Sequence, residues 1–237
     1  MSEYKEVLRI QSKDCDANRR LKASSLLFLH QEMCIRHTTL LGYGKEKTLD
    51  KGLLWVIDKQ SYIINRLPEY DEEVILKTSP GKMLHYFFPR YFEIEDLNGK
   101  PLIKVSSLWS LIDQDNRRII DPTEHDIIIE GIDMDGFPML PIRRNQEYQN
   151  HAILTADFES CDLNGHLSNA SYAKMLSSLI NDDYLLSHYI SRMDFIFQKE
   201  IRMKEKEEFT YELKDDDFHA SSKSFDIHIV YKNKDLL

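Results

Sequence analysis

The chain has 237 residues, of which 42% are hydrophobic and 30% are charged, and its formal net charge at pH 7 is −9. This composition is typical of a globular protein with enough apolar residues for a core. The length fits one large domain or two domains of about 120 residues each. The negative charge argues against a protein that binds nucleic acid through its overall electrostatics.

The N-terminus and the cysteines indicate a protein of the reduced cytoplasm. Residues 1–6 are mostly polar and contain no apolar signal segment. No run of residues reaches the ~18 apolar positions that a membrane-spanning helix requires. Cys15, Cys34 and Cys161 are widely spaced and form no C-x-x-C motif, so neither a disulfide framework nor a zinc site is expected. We therefore expect a cytoplasmic protein that uses no membrane and no metal.

The first half of the chain predicts one strand, one long helix and then a run of strands. Apolar residues cover most of the circumference of the helix, which begins at Ser24 or Ser25 and ends near Leu41, so it is expected to be buried. Asn98-Gly99 predicts a type I′ hairpin turn. The predicted strands are residues 4–11, 53–65, 72–78, 83–96, 102–112 and 117–120. This order of elements favours an α+β fold over alternating β-α-β units.

The second half repeats this plan after a segment with little periodicity. A strand at 153–158 precedes a helix with Asn169 as its N-cap, and further strands are predicted at 190–201, 208–213 and 224–232. No counterpart of the Trp109 strand is recognisable, so the second half is expected to lack its last strand, either because its sheet is one strand short or because the sequence is truncated. The predicted units are an N-terminal domain (1–121), a linker (122–150) and a C-terminal domain (151–237).

One stretch of the second half concentrates polar groups directly before a predicted helix. Residues 161–171 contain a carboxylate, an amide and an imidazole, namely Asp162, Asn164 and His166. Residues 15–25 match this stretch at a constant offset of 146, with Cys, Asp, Asn, Leu and the final Ser identical, but Arg20 stands in place of His166. The repeat favours a duplicated module with one working site. Asp-x-Asn before a helix is also the ordinary sequence of an Asx turn and cap.

This double pattern resembles the acyl-ACP thioesterase family of bacteria and plant plastids. Residues 162–166 are similar to the family's Asp-x-Asn-x-His segment, Asn169 matches the Asn that opens its helix, and residues 195–200 resemble the strand that ends in a functional Glu. The resemblance implies a tandem (double) hot-dog fold, each half an antiparallel sheet wrapped around one long central helix. It also implies that the chain hydrolyses fatty acyl-ACP to free fatty acid and ACP, ending fatty acid elongation, with no cofactor.

The resemblance implies four catalytic residues: Asp162, Asn164, His166 and Glu200. One carboxylate would activate or position a water molecule and the other would hold the network. Asn164 would orient the water or the carbonyl, and His166 would donate to the thioester or to the leaving sulfur. Which carboxylate is the general base stays open. Plant members have a Cys directly after the Glu, whereas this chain has Ile201, which argues against a Cys–His mechanism.

Acyl carrier protein is acidic, so a basic cluster beside the site is expected to bind it. Residues 199–206 contain four basic side chains around and after Glu200, whereas other basic pairs, including Arg117-Arg118, are expected to be solvated. Three rival interpretations remain: an acyl-CoA thioesterase, a dehydratase on the same fold, and a non-catalytic acyl-binding module. The sequence does not indicate which acyl chain length is preferred. Whether the protein forms a homodimer stays open.

Overall fold

The computed structural model describes residues 2–133 and 145–234. Within these ranges the chain forms three α-helices and ten strands. The helices are α1 (Ala23–Thr38), α2 (Asn169–Ser177) and α3 (Asp182–Ser187). The strands are β1 (Tyr4–Arg9), β2 (Leu53–Ile64), β3 (Glu73–Pro80), β4 (Phe87–Glu95), β5 (Pro101–Asp113), β6 (Asn150–Thr155), β7 (His188–Phe197), β8 (Lys206–Lys214), β9 (Asp217–Ser221) and β10 (Phe225–Asn233).

All ten strands belong to one sheet with the order β1-β3-β4-β5-β2-β7-β10-β9-β8-β6. The first five positions come from the first half of the chain and the last five from the second half, in mirrored order. The two halves meet where β2 pairs antiparallel with β7, with Ser61 opposite Asp194. The hydroxyl of Ser61 donates to the buried Asp194 carboxylate at 2.5 Å across this junction. The duplication predicted from residues 15–25 and 161–171 therefore extends to the whole strand plan.

The core lies between the sheet and the two central helices, α1 and α2, which contact each other. Buried residues of both halves, such as Leu26 and Leu176, belong to the same cluster. A second cluster around Trp109 includes Ile127 and Ile129. The start of the predicted linker thus packs against the first half, and the domain boundaries stay a prediction.

The α+β arrangement of antiparallel strands around central helices is confirmed, but the expectation that the second half lacks its last strand is wrong. In the described residues each half contributes five strands. The strand that sequence reasoning missed is β9, a five-residue segment with two titratable side chains and no apolar run. It is entered through Asp215 and Asp216, which both have positive φ and form a two-residue hairpin turn without glycine.

Several element ends also differ from their predictions. The hairpin at Asn98-Gly99 exists, but in that turn only Gly99 has positive φ among the described residues, so it is not type I′. Lys22, not Ser24 or Ser25, precedes α1, and no side chain caps it. Ser168, not Asn169, is the N-cap of α2, and its hydroxyl accepts the amide N–H of Ser171.

The second helix is shorter than the predicted long helix, with nine residues in α2 against 16 in α1. Residues 117–120 form an isolated bridge to β5 rather than a strand. Among the described residues, no helix is both long and apolar enough to cross a membrane.

Candidate active site

Asp162 closes the turn that leads into α2. Its Oδ1 atom accepts the amide N–H groups of Asn164 at 2.8 Å and His166 at 3.1 Å. Its own N–H donates to the carbonyl of His166 at 2.7 Å. Gly165 has a φ of 73°, the left-handed conformation that this turn requires. One oxygen of the Asp162 carboxylate is therefore occupied in shaping the loop that presents His166.

The same turn occurs in the first half. Oδ1 of Asp16 accepts the N–H groups of Asn18 at 2.9 Å and Arg20 at 3.1 Å, and the Asp16 N–H donates to the Arg20 carbonyl at 2.9 Å. Arg19 takes the left-handed conformation there, with a φ of 59°. Asp and Asn thus belong to a turn that both halves share, and only the second half places an imidazole at its end.

His166 meets Glu200 because a β-bridge holds the turn against the segment after β7. The Leu167 N–H donates to the carbonyl of Ile201 at 2.8 Å, and His166 pairs with Arg202. Nδ1 of His166 then lies 3.5 Å from Oε1 of Glu200. This distance is too long for a strong hydrogen bond, and the buried Nδ1 atom has no hydrogen-bond partner among the described residues. Such contacts commonly shorten when substrate binds.

Arg117 approaches Glu200 from the first half of the chain. Its Nη1 atom lies 3.4 Å from the carboxylate oxygens of Glu200. The expectation that this arginine belongs to a solvated pair is therefore wrong, since its side chain is 27% exposed. No local sequence signal indicates the contact, because the two residues are 83 positions apart and belong to different halves.

The other predicted residues are placed differently. The side chain of Asn164 is exposed at the tip of the turn and has no hydrogen-bond partner within residues 2–133 and 145–234. Cys161 is half-buried, and burial together with the neighbouring Asp162 carboxylate raises the pKa of its thiol. A thiolate nucleophile is therefore disfavoured at Cys161. The structure thus brings His166 and Glu200 together and leaves Asn164 apart.

The segments that face the two turns are equivalent as well. In the first half the Leu21 N–H donates to the carbonyl of Pro68 at 2.8 Å, just as Leu167 does to Ile201. The facing segments therefore align at an offset of 133. In this alignment Glu200 is equivalent to Leu67, which is buried in the first half.

In the described part of the chain, one group of side chains has the spacing of metal ligands. Asp217, His219 and His228 place their donor atoms within 4.8 Å of one another on β9 and β10. Nε2 of His228 is already 2.7 Å from Oδ1 of Asp217, and the two imidazole rings stack with centroids 4.3 Å apart. An acid–imidazole pair explains this group, and its strands contribute neither His166 nor Glu200.

Comparison with protein families places the chain. Residues 1–129 match the acyl-ACP thioesterase N-terminal domain and residues 143–234 match the acyl-ACP thioesterase C-terminal domain. The chain belongs to the acyl-ACP thioesterase family. A relative, the chloroplastic acyl-[acyl-carrier-protein] hydrolase FATB3 of Cuphea viscosissima, is 22% identical over 218 residues, which cover 84% of this chain and 52% of the relative. The chain spans about half the length of the curated relatives that it matches.

Solved structures of this family share the fold. The 12:0-ACP thioesterase from Umbellularia californica superposes with a TM-score of 0.82 at 17% identity, covering 98% of both chains. An acyl-ACP thioesterase from Bacteroides thetaiotaomicron superposes with a TM-score of 0.80 at 18% identity, covering 97% of this chain and 98% of that one. The predicted double hot-dog fold is thereby confirmed.

Proposed function

We propose that this chain hydrolyses fatty acyl-ACP to a free fatty acid and the carrier thiol. The observation that carries the proposal is the His166–Glu200 pair, which occurs at the end of only one of two otherwise equivalent loops. Membership of the acyl-ACP thioesterase family supports the same reaction.

In the proposed mechanism Glu200 is the general base. A water molecule held by its carboxylate loses a proton as its oxygen attacks the thioester carbonyl carbon, and the carbon–sulfur bond then breaks. His166 donates a hydrogen bond to the thioester and then protonates the departing thiolate, and the proton that Glu200 took from the water passes to His166, which restores both groups. Glu200 suits the role better than Asp162, because one oxygen of Asp162 already accepts two backbone N–H groups.

The surroundings stabilise the charges that this reaction creates. Arg117 lies beside the Glu200 carboxylate and orients it. The first turn of α2 follows the cap Ser168, and its backbone N–H groups together with the helix dipole favour negative charge near the turn. An oxyanion on the thioester carbonyl would be stabilised there.

The carrier protein is proposed to bind at the basic cluster of residues 199–206. Its four basic side chains, Lys199, Arg202, Lys204 and Lys206, are exposed, and an acidic carrier would be attracted to them. Charge reversal at Arg202 and Lys204 should raise the KM for carrier-bound substrate and leave small thioesters unchanged. Equal changes for both kinds of substrate would contradict docking at this cluster.

The experiment that tests the function is a thiol-release assay on matched acyl-ACP and acyl-CoA substrates of several chain lengths. We expect release with acyl-ACP preferred, and Glu200→Gln should lower kcat by at least about 100-fold. Glu208→Gln, an exposed glutamate on β8, is the matched control and should keep full activity. Binding of acyl chains without thiol release would favour the non-catalytic module, and full activity of Glu200→Gln would overturn the mechanism.

A further inference from the structure

A second carboxylate lies in the second half where the first half has an apolar core residue. Glu207 pairs with Leu154 across β8 and β6, just as Val74 pairs with Leu8 across β3 and β1. Val74 is fully buried and Glu207 is 4% exposed. Equivalent buried positions in the two halves are therefore occupied by a valine in the first half and by a glutamate in the second.

Glu207 is poorly satisfied within the fold. Its Oε1 atom is buried without a hydrogen-bond partner among the described residues. Its Oε2 atom lies 3.8 Å from Nζ of Lys223, a side chain that is 75% exposed. Tyr172 stands where the first half has Leu26, and burial together with the Glu207 carboxylate raises the pKa of its phenol. A buried carboxylate without close partners destabilises a fold, so its presence at this position calls for a ligand.

A cavity of about 210 Å³ contains both Glu207 and the proposed base Glu200. Its other polar lining residues are Lys199, Glu205, Lys206, Lys223 and Ser224, and Ile201 is its one apolar lining residue. This lining is unsuited to an acyl chain, which requires apolar surroundings. It suits the other part of an acyl thioester substrate, the thiol arm that carrier protein and coenzyme A share, because that arm contains amide N–H donors and a phosphate group.

We propose that the carboxylate of Glu207 accepts a hydrogen bond from an amide N–H of this thiol arm, so that the cavity is the arm's binding subsite beside Glu200. The inference rests on the proposed function and makes Glu207 a residue that selects the leaving group. The lysines at the cavity mouth would then face the phosphate. Substrates that lack an amide would gain nothing from Glu207.

The test compares four thioesters of one fatty acid: the S-ethyl thioester without an amide, the N-acetylcysteamine thioester with one amide, acyl-CoA and acyl-ACP. Glu207→Val introduces the residue of the first half. It should lower kcat/KM for the three amide-containing substrates by about tenfold or more and leave the S-ethyl thioester within about twofold. The decrease in kcat/KM should be the same for acyl-CoA and acyl-ACP, since both contain the arm. The ratio of the wild-type kcat/KM values for acyl-ACP and acyl-CoA identifies the preferred carrier.

Two further readouts separate a binding role from a structural one. The melting temperature of Glu207→Val should rise, because the valine removes an unsatisfied buried carboxylate. Glu207→Gln keeps a carbonyl acceptor and should lose less than Glu207→Val. Glu208→Val is the matched control at the exposed neighbouring position. A lowered melting temperature, or equal losses on all four thioesters, would show a structural role and overturn the proposal.

Failure of the proposed function would be visible separately. The affinity for a non-hydrolysable thioether of N-acetylcysteamine, measured by calorimetry, reports the subsite without any turnover. Weaker binding by Glu207→Val with no hydrolysis by the wild type would overturn the hydrolase and keep the subsite. Unchanged binding of the thioether by Glu207→Val would overturn the subsite whatever the hydrolysis assay gives.

Discussion

The two turns that precede the central helices differ in side chains and not in backbone. Asp16 and Asp162 each accept two backbone N–H groups at equivalent positions, and the corresponding hydrogen-bond lengths differ by at most 0.1 Å. The first turn ends in Arg20, whose Nε lies 3.8 Å from Oε1 of Glu69. The second turn ends in His166 beside Glu200. The shared backbone of the turn is therefore structural, and the chemistry depends on the side chain at the end of the turn.

The middle residue of the turn shows the same division. Nδ2 of Asn18 donates to the carbonyl of Leu185 at 3.0 Å, and its Oδ1 accepts from Lys234 at 2.8 Å, which ties the first turn to the second half. Asn164, at the equivalent place, is exposed. The first copy thus holds the halves together, whereas the second copy leaves its amide side chain available to solvent.

The largest effect is expected when the imidazole is removed. His166→Gln should lower kcat for thioester hydrolysis by about 100- to 1,000-fold, because it removes the proton donor without disturbing the Asp162 turn. Arg20→Gln, the equivalent change in the first turn, should leave kcat unchanged. A steady-state assay on acyl-ACP measures both variants. A similar loss in the two variants would mean that the turns share one structural role.

A smaller effect, on stability, is expected from the two aspartates. Asp16→Ala and Asp162→Ala should each lower the free energy of unfolding by about 1–2 kcal/mol, because each leaves two N–H groups of a helix-leading turn without their acceptor. Urea unfolding measures the change.

The conservative variant separates structure from catalysis at this position. Asp162→Asn keeps the Oδ1 acceptor and should retain both stability and most of its activity. If Asp162→Asn were as inactive as Glu200→Gln, the reaction would need both carboxylates and the assignment of Glu200 alone as the general base would be overturned.

The sequence predicts the elements of this fold better than their ends or contacts. Long strands and the buried helix follow from their apolar patterns, whereas β9 does not, because it has only five residues, 217–221, and no apolar run. His166 is recognisable as a local exception within a repeat. Arg117 and Glu207 are not recognisable in the sequence. Arg117 contacts a residue of the other half, and the equivalence of Glu207 with Val74 follows only from the strand pairing.

The cores of the two halves also differ in their response to acid. His30 of α1 is equivalent to Leu176 of α2, and it is buried between the Tyr62 hydroxyl at 2.9 Å and the Ser107 hydroxyl at 3.1 Å. Burial, together with the charge of Arg90, lowers the pKa of His30 to about 3. The unfolded chain takes up this proton near pH 6.5, so the stability from a neutral His30 is complete above pH 6.5 and is lost as the pH falls towards 3.

Replacing His30 by the residue of the second half should remove this dependence. Between pH 7.5 and pH 5.5 the wild type should lose about 1.4 kcal/mol of unfolding free energy through this group, and His30→Leu should lose correspondingly less. Urea titrations at both pH values measure the slope. His188→Leu, which changes a histidine at the start of β7, is the control, and an unchanged slope in His30→Leu would assign the acid sensitivity to other groups.

The smallest effect tests the point where the two halves meet at the proposed site. Arg117→Met should lower kcat about three- to tenfold, since the arginine orients Glu200 but the pair is partly exposed and screened by solvent. Arg117→Lys keeps a cation and should recover part of the loss, whereas Arg118→Met, at the exposed neighbouring position, should have no effect. Because Arg117 acts through Glu200, the loss should disappear in a Glu200→Gln background. A loss that persisted there would mean that Arg117 contacts the substrate directly. The first half would then contribute to the chemistry and not only to the position of Glu200.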